Sequence, residues 1–205
     1  MLAAGNARFM AGERHHPNQD VQFRAKLAGK QQPFALFFGC ADSRVAAEII
    51  FDQGLGDLFV VRTAGHVVDI AVLGSMEFGV DVLGIPLIVV LGHDSCGAVR
   101  AGKAAVEDGE MPSGYVRDIV ERVTPSVLAA RRAGHTSTDH IEAEHVRQTA
   151  ALLAERSRTI AEAIDTGSLG IVGATYDLRV GQARVVTAIG VKAEIDWAPH
   201  SPPSA

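Results

Sequence analysis

Cysteine occurs twice in these 205 residues, aromatics make up 5% of them, and no apolar run is long enough to span a bilayer. Each shortage excludes something. With Cys40 and Cys96 alone there is no disulfide framework, so stability has to come from a packed core. With few aromatics that core must be aliphatic. Basic charge is also short: Lys and Arg number 19 against 24 Asp and Glu, a net charge of −5. That balance argues against nucleic acid or an anionic membrane as the main partner. The opening segment, Met1 to Glu13, holds Asn6, Arg8 and Glu13 and lacks a signal peptide's apolar stretch and cleavage site. The expected compartment is the cytoplasm, where two thiols serve as metal ligands or redox groups.

Apolar residues make up 47% of the chain, enough for a sizeable core. No repeat or low-complexity linker divides it, so one domain is expected over 1–205. An N-terminal helical arm is expected over 1–30 (Leu2–Ala11 and Val21–Ala28, broken at His15-His16-Pro17-Asn18) and a loose Pro- and Ser-rich tail over 199–205. Short continuous apolar runs read as strands buried on both faces: Phe34–Phe38, Leu58–Val61 and Leu87–Leu91. A fourth strand is expected near Leu169–Ala174 and a fifth, at the edge, near Arg184–Ile189. Helices are expected over Arg44–Phe51, Ala71–Leu83, the stretch up to about Arg131, and Asp139–Ile164. This alternation predicts an α/β fold with a mainly parallel sheet flanked by helices. Such sheets place sites beyond the carboxyl ends of strands where strand order reverses. In a 2-1-3-4 order, the turns after strands one and three meet.

Those turns read Gly39-Cys40-Ala41-Asp42-Ser43-Arg44 and Gly92-His93-Asp94-Ser95-Cys96-Gly97. Either alone is ordinary glycine-rich punctuation between a strand and a helix. Together they offer two thiolates and an imidazole, a donor set suited to one Zn²⁺ per chain. Three strong ligands leave a fourth position open for water or substrate, as in catalytic sites. The two-residue spacing of Asp42 and Arg44 can pair carboxylate with guanidinium, which keeps Asp42 ionised and off the metal. The carboxylate is then free to orient a metal-bound hydroxide.

The paired motifs Cys-Ala-Asp-Ser-Arg and Gly-His-Asp-Ser-Cys-Gly resemble the signatures of the β-class carbonic anhydrases. The resemblance extends to Phe59-Val60-Val61-Arg62 and to Gln31-Gln32-Pro33. It implies zinc-dependent reversible hydration of carbon dioxide to bicarbonate and a proton. Cys40, His93 and Cys96 would be the zinc ligands and Asp42–Arg44 the catalytic dyad. Gln31, Phe59 and Gly97 would meet substrate. It also implies a homodimer or homotetramer with pockets built by two chains, and N-terminal helices that embrace the neighbouring subunit, which would give Phe9 and Met10 a role; packing within one chain is the plainer role for those two. Because two thiolates neutralise the zinc charge, the bound-water pKa of about 7 known for unrelated three-histidine zinc sites does not carry over.

The chain departs from the family pattern at several positions. Phe78 stands where many relatives have tyrosine, and Thr63 and His66 stand where asparagine is common. Phe37 replaces the tryptophan of the family's inhibitory bicarbonate pocket, although Arg62 and Gly39 fit it. An open site is therefore expected, with Asp42 moving onto zinc only at low pH, when hydroxide is scarce. His66 is a candidate proton shuttle, with structural hydrogen bonding as the plainer role. His140 and His145, five apart, do not make a His-Glu-x-x-His motif and read as a solvated helix face. His15, His16, His135 and His200 read as loop residues. Two alternatives stay open: hydrolysis of carbon disulfide or carbonyl sulfide on the same site, and a non-catalytic zinc or thiol-redox regulator.

Overall fold

The computed structural model describes residues 1–191, so the tail expected over 199–205 lies outside the described residues. Five strands form one sheet: β1 (Ala35–Cys40), β2 (Leu58–Thr63), β3 (Leu87–His93), β4 (Gly170–Tyr176) and β5 (Ala183–Ile189), in the order β2-β1-β3-β4-β5. The first four are parallel and β5 is antiparallel to β4. The expected order 2-1-3-4 holds, with β5 added at the edge.

The apolar runs explain the core. Side chains alternate across a strand, and a run apolar at every position can bury both faces. Leu36 and Phe38 of β1, with Ile88 and Val90 of β3, pack on one face against Met76, Leu153 and Ile160. Phe37, with Val89 and Leu91, packs on the other against Phe51, Ala174 and Leu2. A third cluster of Val67, Val99, Val123, Val127 and Ile141 encloses Cys40 and Cys96.

Helices α1 (Leu2–Ala11) and α2 (Val21–Leu27) form the expected arm. Helix α1 is tied to its own chain. The Asn6 amide donates to the carbonyls of Ile50 (3.2 Å) and Gly181 (2.8 Å) and accepts from Ala183 N (2.9 Å), and Arg8 pairs with Asp52 at 2.6 Å. Phe9 packs on this chain's core, while Met10 is exposed. Helix α2 buries no residue.

Three expected helices differ. The one read over Arg44–Phe51 shrinks to α3 (Ala47–Ile50), because Asp42 accepts the Arg44 amide at 3.0 Å and holds the start of that segment in a turn. The one read over Ala71–Leu83 is α4 (Ile70–Glu77), widening into a π-turn over Phe78–Val82. Helices α5 (Gly97–Glu107) and α6 (Tyr115–Arg132) follow β3. The one read over Asp139–Ile164 is two helices, α7 (Thr138–Arg156) and α8 (Arg158–Asp165). Ser157 breaks it: extended at φ −110°, its hydroxyl accepts from Ile160 N at 3.1 Å and donates to Glu77 at 2.6 Å. Among the described residues no helix is long and apolar enough to cross a membrane.

Helix α1 sits so close to α3 that a β-carbon on Gly5 would lie 1.8 Å from the Phe51 carbonyl oxygen. Gly5→Ala is expected to cost about 1–3 kcal/mol by forcing the two apart. Urea unfolding reads this as a lower midpoint at unchanged slope; a wild-type midpoint would show that α1 yields freely.

Candidate metal centre

β1 and β3 are hydrogen-bonded neighbours, with Gly39 opposite Leu91, so their carboxyl ends adjoin. Cys40 is the last residue of β1 and His93 the last of β3, each a step earlier than the turns expected to hold them. Cys96 caps the amino end of α5. One ligand atom from each of the three lies within 4.8 Å of the others, and all three residues are buried.

The second turn is pinned to the sheet beyond it. Asp94 N donates to the Tyr176 carbonyl at 3.1 Å, and the Asp94 carboxylate accepts from Leu178 N at 2.9 Å. His93 Nδ1 lies 2.7 Å from the Asp94 carbonyl, which can only accept, so Nδ1 carries the proton. Nε2 is left with a lone pair, buried and without a hydrogen-bond partner among the described residues. An orphaned acceptor facing two thiols is what a metal ligand looks like without its ion.

The thiols agree. Hydrogen bonding with Cys96 pulls the Cys40 thiol down to about 4 against the effect of burial, with the amides of Asp42 and Gly65 adding to it. The Gly65 amide donates to Cys40 Sγ at 3.3 Å. Cys96 moves up, because it is bonded to Cys40 and is itself buried. Ionising the second thiol here requires a cation beside it.

At the mouth, Arg44 Nε and Nη2 donate to the two oxygens of Asp42 at 2.9 and 2.6 Å. This bonding holds the Asp42 carboxyl well below the usual range. Asp42 Oδ2 stands 3.9 Å from His93 Nε2, while the carboxylate rests on Arg44. Arg62 braces the turn from β2, donating to the carbonyls of Cys40 (3.0 Å) and Asp42 (2.6 Å). Gly97, the first residue of α5, is exposed next to Cys96.

Gln31 and Phe59 are not brought to this centre. Gln31 is exposed ahead of β1, and Phe59 pairs with Leu36 near the amino end of that strand. Leu36 lies four positions before Cys40, roughly 13 Å along the sheet. Phe59 packs on the exposed Phe78, ring centroids 6.2 Å apart.

The family model described as carbonic anhydrase matches residues 35–183. Carbonic anhydrase 2 of Mycobacterium tuberculosis is 62% identical over 189 residues, covering 92% of this chain and 91% of that one. The chain belongs to the carbonic anhydrase family. The carbonic anhydrase of Mycolicibacterium smegmatis is 58% identical, covering 95% of this chain and 94% of its own. Among solved structures, a Coccomyxa β-carbonic anhydrase in complex with acetazolamide superposes with a TM-score of 0.72 at 28% identity, covering 83% and 80% of the two chains. Two tetrameric β-carbonic anhydrases from Sordaria macrospora are represented at a TM-score of 0.71 and 25% identity, covering 90% and 95%. The family and its β class are thus those the two motifs resembled.

Several residues of this carbonic anhydrase fold stand behind the centre where the sequence reading did not place them. His145 is buried, not solvated: Nε2 meets the Gly65 carbonyl at 2.9 Å and Nδ1 meets the Ser126 hydroxyl at 2.9 Å. Its place four residues after buried Ile141 and four before buried Thr149 was the signal. His140 is half-buried and stacks on exposed His135, centroids 4.5 Å apart; His15 and His16 are exposed as expected, and His200 lies outside the described residues. His66 is fully buried, and neither ring nitrogen has a hydrogen bond among the described residues. Its Nδ1 is 3.8 Å from Glu142, and burial first, then His145 and His93, hold its pKa well below the ordinary value.

Glu142 accepts the His93 amide at 3.1 Å and presses so close to Gly92 that a β-carbon there would lie 2.3 Å from its Oε1. Burial raises its carboxyl to about 8 from 4.5. Below about 4.5 folded and unfolded chains both hold the proton. Between there and about 8 only the folded chain does, so Glu142's contribution to stability falls as pH rises and then levels off, against the rise contributed by Cys40, whose thiol ionises at lower pH in the folded chain than in the unfolded one. In metal-free protein, Glu142→Gln is expected to remove that decline, as urea midpoints across this range will read; parallel curves for both proteins would contradict it.

Proposed function

We propose that this chain catalyses the reversible hydration of carbon dioxide to bicarbonate and a proton, with one Zn²⁺ held by Cys40, His93 and Cys96. The observation that carries the reading is the buried, partnerless Nε2 of His93 beside two thiols, with an Asp–Arg pair at the mouth. Two sulfurs and an imidazole fit zinc, and three ligands leave a fourth position open. Bound there, the ion would supply Lewis acidity toward an oxygen ligand in that open position.

The rest is work for the chain's own residues. Arg44 keeps Asp42 ionised and fixes both its oxygens. The lone pair remaining on Oδ2 can accept the hydrogen of the attacking oxygen, which turns that oxygen's own lone pair toward the carbon of carbon dioxide. The amide of Gly97, at the open end of α5, offers a donor for the negative charge that grows on the product. Free thiols as ligands suit a reducing cytoplasm.

Asp42→Ala is expected to lower kcat about 100-fold while zinc content stays near one per chain. Stopped-flow hydration with a parallel zinc assay checks this. Zinc retained without hydration in the wild type at any pH would overturn the reading.

We further assign a homo-oligomer, a dimer or a tetramer, whose pockets two chains share. Phe59 lies too far along β2 to reach the centre of its own chain, Gln31 is exposed in the loop ahead of β1, and the tetrameric Sordaria relatives support assembly. If a partner supplies Gln31, the inactive variants Asp42→Ala and Gln31→Ala complement each other. Each mixed dimer holds one site with Asp42 and Gln31 both intact, so co-expression is expected to restore about a quarter of wild-type activity. No recovery from demonstrably mixed dimers would place Gln31 outside the shared pocket.

A further inference from the structure

We propose that His145, oriented by Ser126, is a positioning residue for the metal ligand Cys40 and acts on it through the Gly65 amide. The inference rests on the reading that Cys40 binds the metal. Four segments take part in sequence: Ser126 on α6, His145 on α7, Gly65 in the short 3-10 turn Ala64–His66, and Cys40 at the end of β1.

Gly65 takes a conformation and a close approach that only glycine fits. Its φ of 63° is left-handed, and a β-carbon would lie 2.6 Å from that of Ala98, just beyond Cys96 on α5. His66 follows at φ 40°, a left-handed value that a β-carbon makes unfavourable. This turn aims the Gly65 N–H at Cys40 Sγ, 3.3 Å away. On the other side of the same residue the Gly65 carbonyl meets His145 Nε2 at 2.9 Å. A carbonyl only accepts, so Nε2 carries the proton. Burial keeps the ring neutral, so Nδ1 can only accept, and the single Ser126 hydroxyl proton is shared between Nδ1 at 2.9 Å and Gln148 Oε1 at 3.0 Å. The His145 ring lies on His66, centroids 4.4 Å apart, and His66 abuts Phe38 of β1 edge-on. His145 therefore grips the turn twice, by a hydrogen bond at Gly65 and by ring contact at His66.

The chemical consequence falls on sulfur. An N–H donated to a thiolate stabilises its charge and draws density from it, so the metal receives less. If the grip is released, the turn is free to relax, the amide leaves Sγ, and Cys40 becomes a more basic, less well-placed ligand. A cavity of about 220 Å³, bounded in part by Val67, Ser126, His145 and Thr149, lies beside the ring, so water can fill the space left by a smaller side chain.

The test replaces zinc with Co²⁺, whose thiolate charge-transfer band reports electron density at sulfur. His145→Phe keeps a ring against His66 and removes the donor. It is expected to move the band to lower energy and to weaken zinc binding about 10- to 100-fold in a chelator competition. His145→Gln can donate to the Gly65 carbonyl through its amide and is expected to restore both toward wild type. Should His145→Phe fail to fold, Ser126→Ala, which frees only the ring's orientation, is expected to shift both in the same direction by less. Wild-type band position and zinc affinity in whichever of these two variants folds would overturn the proposal. So would a shift in His145→Phe that His145→Gln repeats in full. A wild-type protein with no thiolate–cobalt band would instead overturn the metal reading on which it rests.

Discussion

The centre depends on the pairing of β1 with β3. The chain leaves β1 to build β2 on one side and returns to lay β3 on the other, so the order β2-β1-β3 reverses direction between two neighbours. That reversal opens a crevice at their carboxyl ends, and Cys40 and His93 stand at its lip as the final residues of their strands. Strand geometry fixes their separation far more tightly than two free loops could. Phe37 and Phe38 of β1, buried on opposite faces, hold the strand against movement toward either layer of helices.

Around this frame, burial and charge act in opposite senses on the two sides of the centre. Behind it, Glu142, His66 and His145 are buried and driven toward their neutral forms, so the ligands rest on groups that add little charge of their own. In front, Asp42 and Arg44 meet solvent and remain a charged pair. Carbon dioxide is neutral and its product is an anion. A site of this kind needs an apolar-backed crevice for the first and a polar mouth for the second, and the chain provides both within a few residues of Cys40.

Much of this was legible in the sequence because the informative features are local. Continuous apolar runs named the strands, and the two turns named the residues that gather at the centre, since Cys40, His93 and Cys96 are recognisable as donors wherever they sit. What escaped is set by contacts from distant segments. Asp42 folds back on the Arg44 amide and shortens α3, while Ser157 breaks a helix that its neighbours would have continued. His145 looked like any polar residue on a long helix because its partners, Gly65 and Ser126, lie eighty and nineteen residues away. Gln31 and Phe59 were legible as residue types, yet their distance from the centre appears only once the strands are laid side by side.

The placement of the ligands at the ends of two different strands also bears on the order in which the molecule assembles. Cys40 and Cys96 are about fifty residues apart in sequence, and no short loop brings them together, as one does in a zinc finger. Until β1 and β3 have paired, the chain offers at most His93 and Cys96 as a weak bidentate hook. A metal ion held by these three residues would therefore not nucleate this fold; it would meet a sheet already formed, and its binding energy would add to what hydrophobic pairing has built.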